Sequence, residues 1–271
     1  MRKVLLATTA LVAMSVTAAQ ADVSITGNQN FEISDDGATS TWAIDGDVKI
    51  VGTSTTDSGL NLTAAHNINT TTGGVDDSYL DISGDFGSFR AGNTDDALDR
   101  MDGAYPANWD ESGNSDGGFA IGGDKVMASF MAPTISGVTV YGASTAEGAY
   151  TGMGVNYSNG PIAVIYQSGT DGTTDKSLMA VNVTMAGATI GFGTGDQDAA
   201  GTKTEYSSMG LKYAVNDALS IYAVSQKQKG NSTASSLGGY YTVAPGLQVA
   251  AETATNASDV TSTYAHLKVS F

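Results

Sequence analysis

From about residue 22 onward the chain alternates apolar and polar residues with a period of two. The last nine positions show it plainly: Ala265, Leu267, Val269 and Phe271 fall on one face, and Tyr264, His266, Lys268 and Ser270 on the other. Such alternation belongs to a strand lying between two unlike environments. It predicts sixteen strands, near 22–33, 40–54, 59–68, 77–83, 88–93, 123–132, 137–146, 150–158, 161–168, 176–184, 188–195, 204–213, 218–227, 236–243, 246–254 and 261–271. Every second connection is tight and carries Gly, Asn, Asp or Pro, as in Thr56 to Gly59, Gly84 to Gly87, Met185 to Gly187 and Ala244 to Gly246. These residues supply the positive or fixed φ that tight turns need. The connections between them are expected to be longer and more polar.

The two parities differ in kind. Trp42, Ile44, Val48 and Ile50 oppose Asp45, Asp47 and Lys49, and Leu247, Val249 and Ala251 oppose Gln248 and Glu252. Met153, Val155 and Tyr157 oppose Gly152, Gly154 and Asn156, and Ile190 and Phe192 oppose Thr189 and Gly191. A soluble sandwich would bury the apolar parity, but the opposite parity, rich in Gly, Ser, Asn and charge, would fill a core badly. A membrane barrel turns the apolar parity to lipid and lines a water-filled lumen with the polar one. Sorting of short turns to one rim fits the same class. So does the recurrence of Phe130, Tyr157, Tyr213, Tyr241 and Phe271 at the short-turn ends of strands, where an interfacial girdle would lie. The fold class expected is all-β: a transmembrane antiparallel barrel of sixteen strands.

Residues 1–21 carry the marks of a cleaved signal peptide: Arg2 and Lys3, an apolar stretch from Val4 to Val16, and the small-residue pair Ala19 and Ala21. The expected domain layout is a signal peptide over 1–21 and one barrel domain over 22–271. Removing Arg2 and Lys3 from 12 basic residues leaves 10 against 28 acidic ones, a net charge of −18. Such a chain repels phosphate backbones, so nucleic acid is not an expected partner. The chain contains no cysteine, which excludes disulfide scaffolds, thiolate metal sites and cysteine nucleophiles.

One connection breaks the rhythm. Residues 93–122 show little strand character, and a loop this long in a compact fold is commonly functional. Thr94 to Met101 has the pattern of a short N-capped helical turn with acids near its start. The insert carries Asp95, Asp96, Asp99, Asp102, Asp110, Glu111 and Asp116 against the single Arg100. Asp95, Asp96, Asp99 and Asp102 could hold Ca²⁺ through hard oxygens, although solvated channel acids give the same pattern; no other cofactor or metal is expected. Gly113 to Gly117 fits G-x-S-x-G but lacks the strand–turn–helix context of a nucleophile elbow. The two histidines, His66 and His266, form no catalytic constellation, so no enzymatic activity and no catalytic residue are expected.

Asp77 to Gly92 resembles the strand–turn–strand segment that precedes the constriction loop in the general porins of Gram-negative bacteria, particularly the alphaproteobacterial, Rhodobacter-type members. The signal peptide and the terminal Phe271 are similar too. The resemblance covers the mature chain in pattern and residues 77–102 and 261–271 in motif. It implies that the long third loop folds into the lumen and narrows it, with Asp95, Asp96, Asp99, Asp102, Asp110 and Glu111 at the constriction. Such porins set a basic cluster opposite the loop. Lys49, Arg90, His266 and Lys268, all on polar parity, are the candidates here, and Lys125 and Lys212 share that parity. This chain departs from the family in being short and poor in arginine. The implied function is passive diffusion of small hydrophilic solutes and ions through an outer-membrane homotrimer surrounded by lipid and lipopolysaccharide. The acidic excess predicts modest cation selectivity. An outer-membrane barrel enzyme and a surface-exposed β-rich adhesin are the alternatives.

Overall fold

A computed structural model describes residues 21–94, 104–111 and 125–271. The signal-peptide reading therefore lies outside the described residues. Sixteen strands form one closed antiparallel barrel: β1 (Asp22–Asp35), β2 (Ser40–Thr55), β3 (Asn61–Asn69), β4 (Val75–Gly84), β5 (Gly87–Thr94), β6 (Lys125–Met131), β7 (Val138–Thr145), β8 (Tyr150–Asn159), β9 (Ile162–Asp171), β10 (Thr174–Met185), β11 (Ala188–Ala199), β12 (Thr202–Ala214), β13 (Leu219–Gln228), β14 (Thr233–Ala244), β15 (Leu247–Thr255) and β16 (Thr261–Ser270). Each strand pairs with its sequence neighbours, and β16 closes on β1 through pairs from Asn28–Ser270 to Asp35–Thr263. Phe271 adds two backbone hydrogen bonds to Gly27. Closure leaves no open edge, which is what satisfies backbone polar groups at membrane depth.

The parities face as the alternation predicts. Trp42, Ile44, Met153, Ile190 and Phe192 stand on the outer surface, with Trp42 73% and Met153 65% exposed, and Leu211, Leu237 and Leu267 are exposed beside them. Register fixes the level of the outward aromatics. Tyr157 opposes Val138, Tyr213 opposes Ala188 and Tyr241 opposes Leu219, each the first residue of its strand at the short-turn rim. All three, with Phe130 and Phe271, are exposed. An apolar belt edged by aromatics is the outer surface that a bilayer requires. At that rim Gly246 sits at φ +79°, and a Cβ there would come 2.5 Å from the Ser270 carbonyl oxygen, so the β14–β15 turn requires glycine.

The opposite rim departs from expectation. Leaving aside residues 95–124, its connections run from two residues (172–173 and 200–201) to five (70–74 and 256–260). They are as short as those at the other rim. The polar stretches around 169–175 and 196–203 are extensions of β9 to β12, not loops. Above the apolar belt water solvates both strand faces, so polarity there no longer marks the end of a strand. Outward hydroxyls and charges meet across the ladder: the Ser177 hydroxyl donates to Asp196 at 2.6 Å, the Thr170 hydroxyl to Asp175 at 2.7 Å, and Lys229 pairs with Glu205 at 2.6 Å.

Candidate channel and its lining

The described part of the long connection, residues 104–111, makes one 3-10 turn over Pro106–Trp109, with Pro at the start where a missing N–H costs nothing. Tyr105, Pro106, Ala107 and Trp109 are buried. What buries them is a slot in the inner wall. Gly191 and Gly193 of β11 and Gly210 of β12 lie on the inward parity, opposite the outward Ile190, Phe192 and Leu211. A Cβ at Gly191 would come within 2.6 Å of the Trp109 ring, and one at Gly210 within 2.8 Å; at Gly193 it would overlap Tyr105. Absent side chains on the wall thus admit two aromatic rings from the loop. Burial pushes the Tyr105 phenol up to about 12, so it stays neutral.

Polar contacts fix both ends of this segment. The Asn182 side-chain amide donates to the Ala104 carbonyl at 2.9 Å. The Glu111 backbone N–H donates to the Glu252 carboxylate at 2.9 Å and to the Tyr222 hydroxyl at 3.2 Å. The Tyr222 hydroxyl in turn donates to the same carboxylate oxygen at 2.5 Å. Tyr222 and Glu252 are both buried. The Lys212 ammonium lies 5.1 Å from the Trp109 ring centroid and within electrostatic reach of Glu111 and Asp110.

Around this segment the inner wall carries an apolar cluster, with Ser129, Gln167, Ser208 and Gln226 buried on the same parity. Met127, Tyr141, Ala143, Tyr150, Ile165, Leu178 and Ala180 of β6 to β10 form a buried cluster with Tyr105 and Ala107. Gln167 is fully buried beside them and donates to the Tyr141 hydroxyl at 3.1 Å. This corrects the expectation that the whole inner parity is polar and wet. On β1, β2 and β16 the inward residues Thr26, Asn28, Asn30, Asp45, Asp47 and Lys268 stay half-buried or exposed. The lumen therefore has a filled arc on β6 to β13 and a more polar arc on β14 to β16 and β1 to β5, which is buried at Ala234, Ser236, Ala250, Glu252, Ala254 and His266 and opens to water toward the short-turn mouth and over β1 and β2.

Of the acidic loop residues, Asp110 and Glu111 belong to the docked segment. Asp95, Asp96, Asp99 and Asp102 lie outside the described residues, as do the helical turn expected near Thr94 to Met101 and the G-x-S-x-G stretch. The calcium expectation falls on the same four positions. On the polar arc, Arg90 pairs with Asp81 at 3.1 Å and stacks 3.9 Å from the Tyr79 ring centroid. Lys49 approaches the same ring at 5.8 Å, so Tyr79 joins these two cations. His266 is buried beside Tyr264, its Nδ1 3.3 Å from the phenol oxygen. Lys268 lies on β16 between Gln248 and Asn30. Lys125 pairs with Asp171 at 3.1 Å. The sequence alone assigned no site role to Tyr105, Trp109, Asn182, Tyr222 or Glu252. Two signals for them were present: alternate glycines on one parity of β11, and the aromatics Tyr105, Trp109 and Phe119 in an insert otherwise rich in Gly and Asp.

A closed sixteen-strand barrel with an apolar aromatic-edged exterior and a polar inner arc defines a transmembrane channel protein of the outer membrane. The sequence matches the family model described as Gram-negative porin over residues 7–261, and the chain belongs to that family. Solved structures share the fold. A loop L8 deletion mutant of OmpT, an outer membrane protein of Vibrio cholerae, is 17% identical with a TM-score of 0.75, covering 93% of this chain and 99% of that one. A variant of the Rhodobacter blastica porin is 18% identical with a TM-score of 0.74, covering 92% and 100%. OmpT in a trimer form is 16% identical with a TM-score of 0.75, covering 93% and 99%. No curated protein sequence matches.

Proposed function

We propose that this outer-membrane porin conducts small hydrophilic solutes and ions passively, with a modest preference for cations, as a homotrimer. The carrying observation is the docking of residues 104–111 on one wall, which brings the acidic Asp110 and Glu111 inside the barrel and leaves the passage to the opposite arc. The remaining loop acids, Asp95, Asp96, Asp99 and Asp102, are read as lining the same passage. A narrow, low-dielectric passage with an acidic excess concentrates cations and depletes anions. Lys49, Arg90 and Lys268 oppose this locally, so the preference is small. It weakens as salt shortens the Debye length, which is about 10 Å at 0.1 M. The trimeric form of the Vibrio cholerae protein supports the assembly.

Planar-bilayer recording in a KCl gradient tests this reading. The wild-type reversal potential is expected on the cation side, and Asp→Asn at 95, 96, 99 and 102 together should move it to zero or beyond. An anion-selective wild type, or a quadruple variant indistinguishable from it, would reject the acidic constriction. Recording with and without a calcium chelator tests the calcium site at these four carboxylates. A folded barrel with no conductance would leave the enzyme or adhesin reading.

A further inference from the structure

One inward row crosses four strands of the open arc near the short-turn mouth. Thr242 of β14 opposes Gln248 of β15, Gln248 opposes Lys268 of β16, and Lys268 opposes Asn30 of β1. The register of β14 shifts between Thr242 and Ala244, an irregularity that bends a strand locally. Beside it lies a cavity of about 300 Å³ lined by Thr242, Gly246, Leu247, Gln248, Lys268 and Ser270. Its polar donors are one ammonium, one amide and two hydroxyls. Facing residues in such a row have Cβ atoms about 5 Å apart, close enough for side chains to converge on one small ligand.

Lys268 differs from four of the nine described cations. Arg90, Lys125, Lys203 and Lys229 are engaged by carboxylates within 4 Å. Lys268 makes no ion pair among the described residues. The acid in its own row is Asp45, which opposes Asn30 from β2 and so lies two strands away, roughly 10 Å at the usual strand spacing. Among the described residues no carboxylate lines the cavity. In a strongly acidic chain this is a local concentration of donors around a free positive charge.

We propose that this cavity is a binding subsite for a compact oxyanion, the carboxylate or phosphate group of a small solute, reached from the short-turn mouth. The ammonium supplies the charge, and the Gln248 amide with the Thr242 and Ser270 hydroxyls supplies hydrogen bonds to the remaining oxygens. One lysine in a water-filled lumen binds weakly, which suits a channel, since a solute must leave as readily as it enters. A zwitterionic solute would leave its cationic end free toward Asp45 and Asp47. The assignment rests on the channel reading of the barrel.

Two measurements test it, one of them independent of conductance. In detergent-solubilised protein the ³¹P line of excess inorganic phosphate should broaden with wild type and with the outward control Lys227→Gln. It should lose most of that broadening with Lys268→Gln, and acetate should compete with phosphate if a carboxylate fits the same donors. In bilayers, phosphate added at the short-turn side should depress the wild-type current in a concentration-dependent way and leave that of Lys268→Gln unchanged. Heat-modifiable migration on gels verifies that each variant is folded. Equal broadening in wild type and Lys268→Gln, or none in wild type, overturns the subsite. A protein that broadens the phosphate line through Lys268 but passes no current retains the subsite and rejects the channel.

Discussion

The two halves of the inner wall share a backbone geometry and a strand period, yet they have opposite interiors. On β6 to β13 the inward side chains include Met127, Tyr141, Ile165, Leu178 and the glycines of β11 and β12, with Ser129, Gln167, Ser208 and Gln226 buried on the same parity, and the apolar ones pack with Tyr105 and Ala107. On β14 to β16 and β1 to β5 hydroxyls, amides and charges predominate, and water reaches those toward the short-turn mouth and on β1 and β2. The filled arc behaves as a small soluble core inside a membrane protein, governed by apolar burial and close packing. The open arc is a solvated surface, where single contacts contribute little. The barrel thus uses the hydrophobic effect to hold a loop in place and leaves the passage to electrostatics.

Removing the aromatic anchor should have the largest effect on this contrast. Tyr105→Ala leaves a cavity in the filled arc and is expected to weaken docking of the segment by about 3–5 kcal/mol, the usual cost for a buried aromatic. Faster amide exchange across residues 104–111 and a larger, noisier single-channel conductance should follow. Thr26→Ala on the open arc should change stability by no more than about 0.5 kcal/mol. Equal responses at the two sites would erase the distinction between the arcs.

Next in size is the contrast between the outer and inner faces of one strand. Val249→Arg on the lipid side of β15 should destabilise the barrel by about 2–4 kcal/mol near the bilayer midplane. Its neighbour Gln248→Arg should be tolerated and alter conductance instead. Urea unfolding from lipid vesicles measures both, and matching losses would show that the faces are misassigned.

The smallest change falls where the docked segment meets β13 and β15. Glu252→Ala removes the acceptor shared by the Glu111 amide and the Tyr222 hydroxyl, a loss of about 1–3 kcal/mol for groups left buried. Loop docking should loosen at its Glu111 end alone, seen as exchange at that amide with Tyr105 still immobile by fluorescence or NMR. Unchanged exchange at Glu111 would mean that the aromatic slot suffices.

Much of the architecture follows from period-two alternation, because strand faces are set by local backbone geometry. Trp42, Ile44, Val155 and Leu267 face outward for that reason alone, and the tight turns were legible from Gly, Asn and Pro. Boundaries at the rim opposite the tight turns were not, since β9 to β12 run on past the apolar belt and polarity there carries no information about pairing. The basic candidates were legible only as to parity. That Arg90 pairs with Asp81, that Tyr79 joins Arg90 to Lys49, and that Lys268 has a cavity beside it depends on which strands stand together.

The sequence by itself determined the number of strands, their order of faces, the acidic balance and the existence of an insert between β5 and β6, all of which are encoded by neighbouring residues. Only the tertiary structure decided where residues 104–111 go. Gly191, Gly193 and Gly210 lie far along the chain from Tyr105 and Trp109, and a glycine on an inward parity reads equally as a wet wall or as a slot. Barrel closure brings those glycines in front of the two rings, and the burial of apolar surface that results is a property of the assembled wall, absent from any single segment.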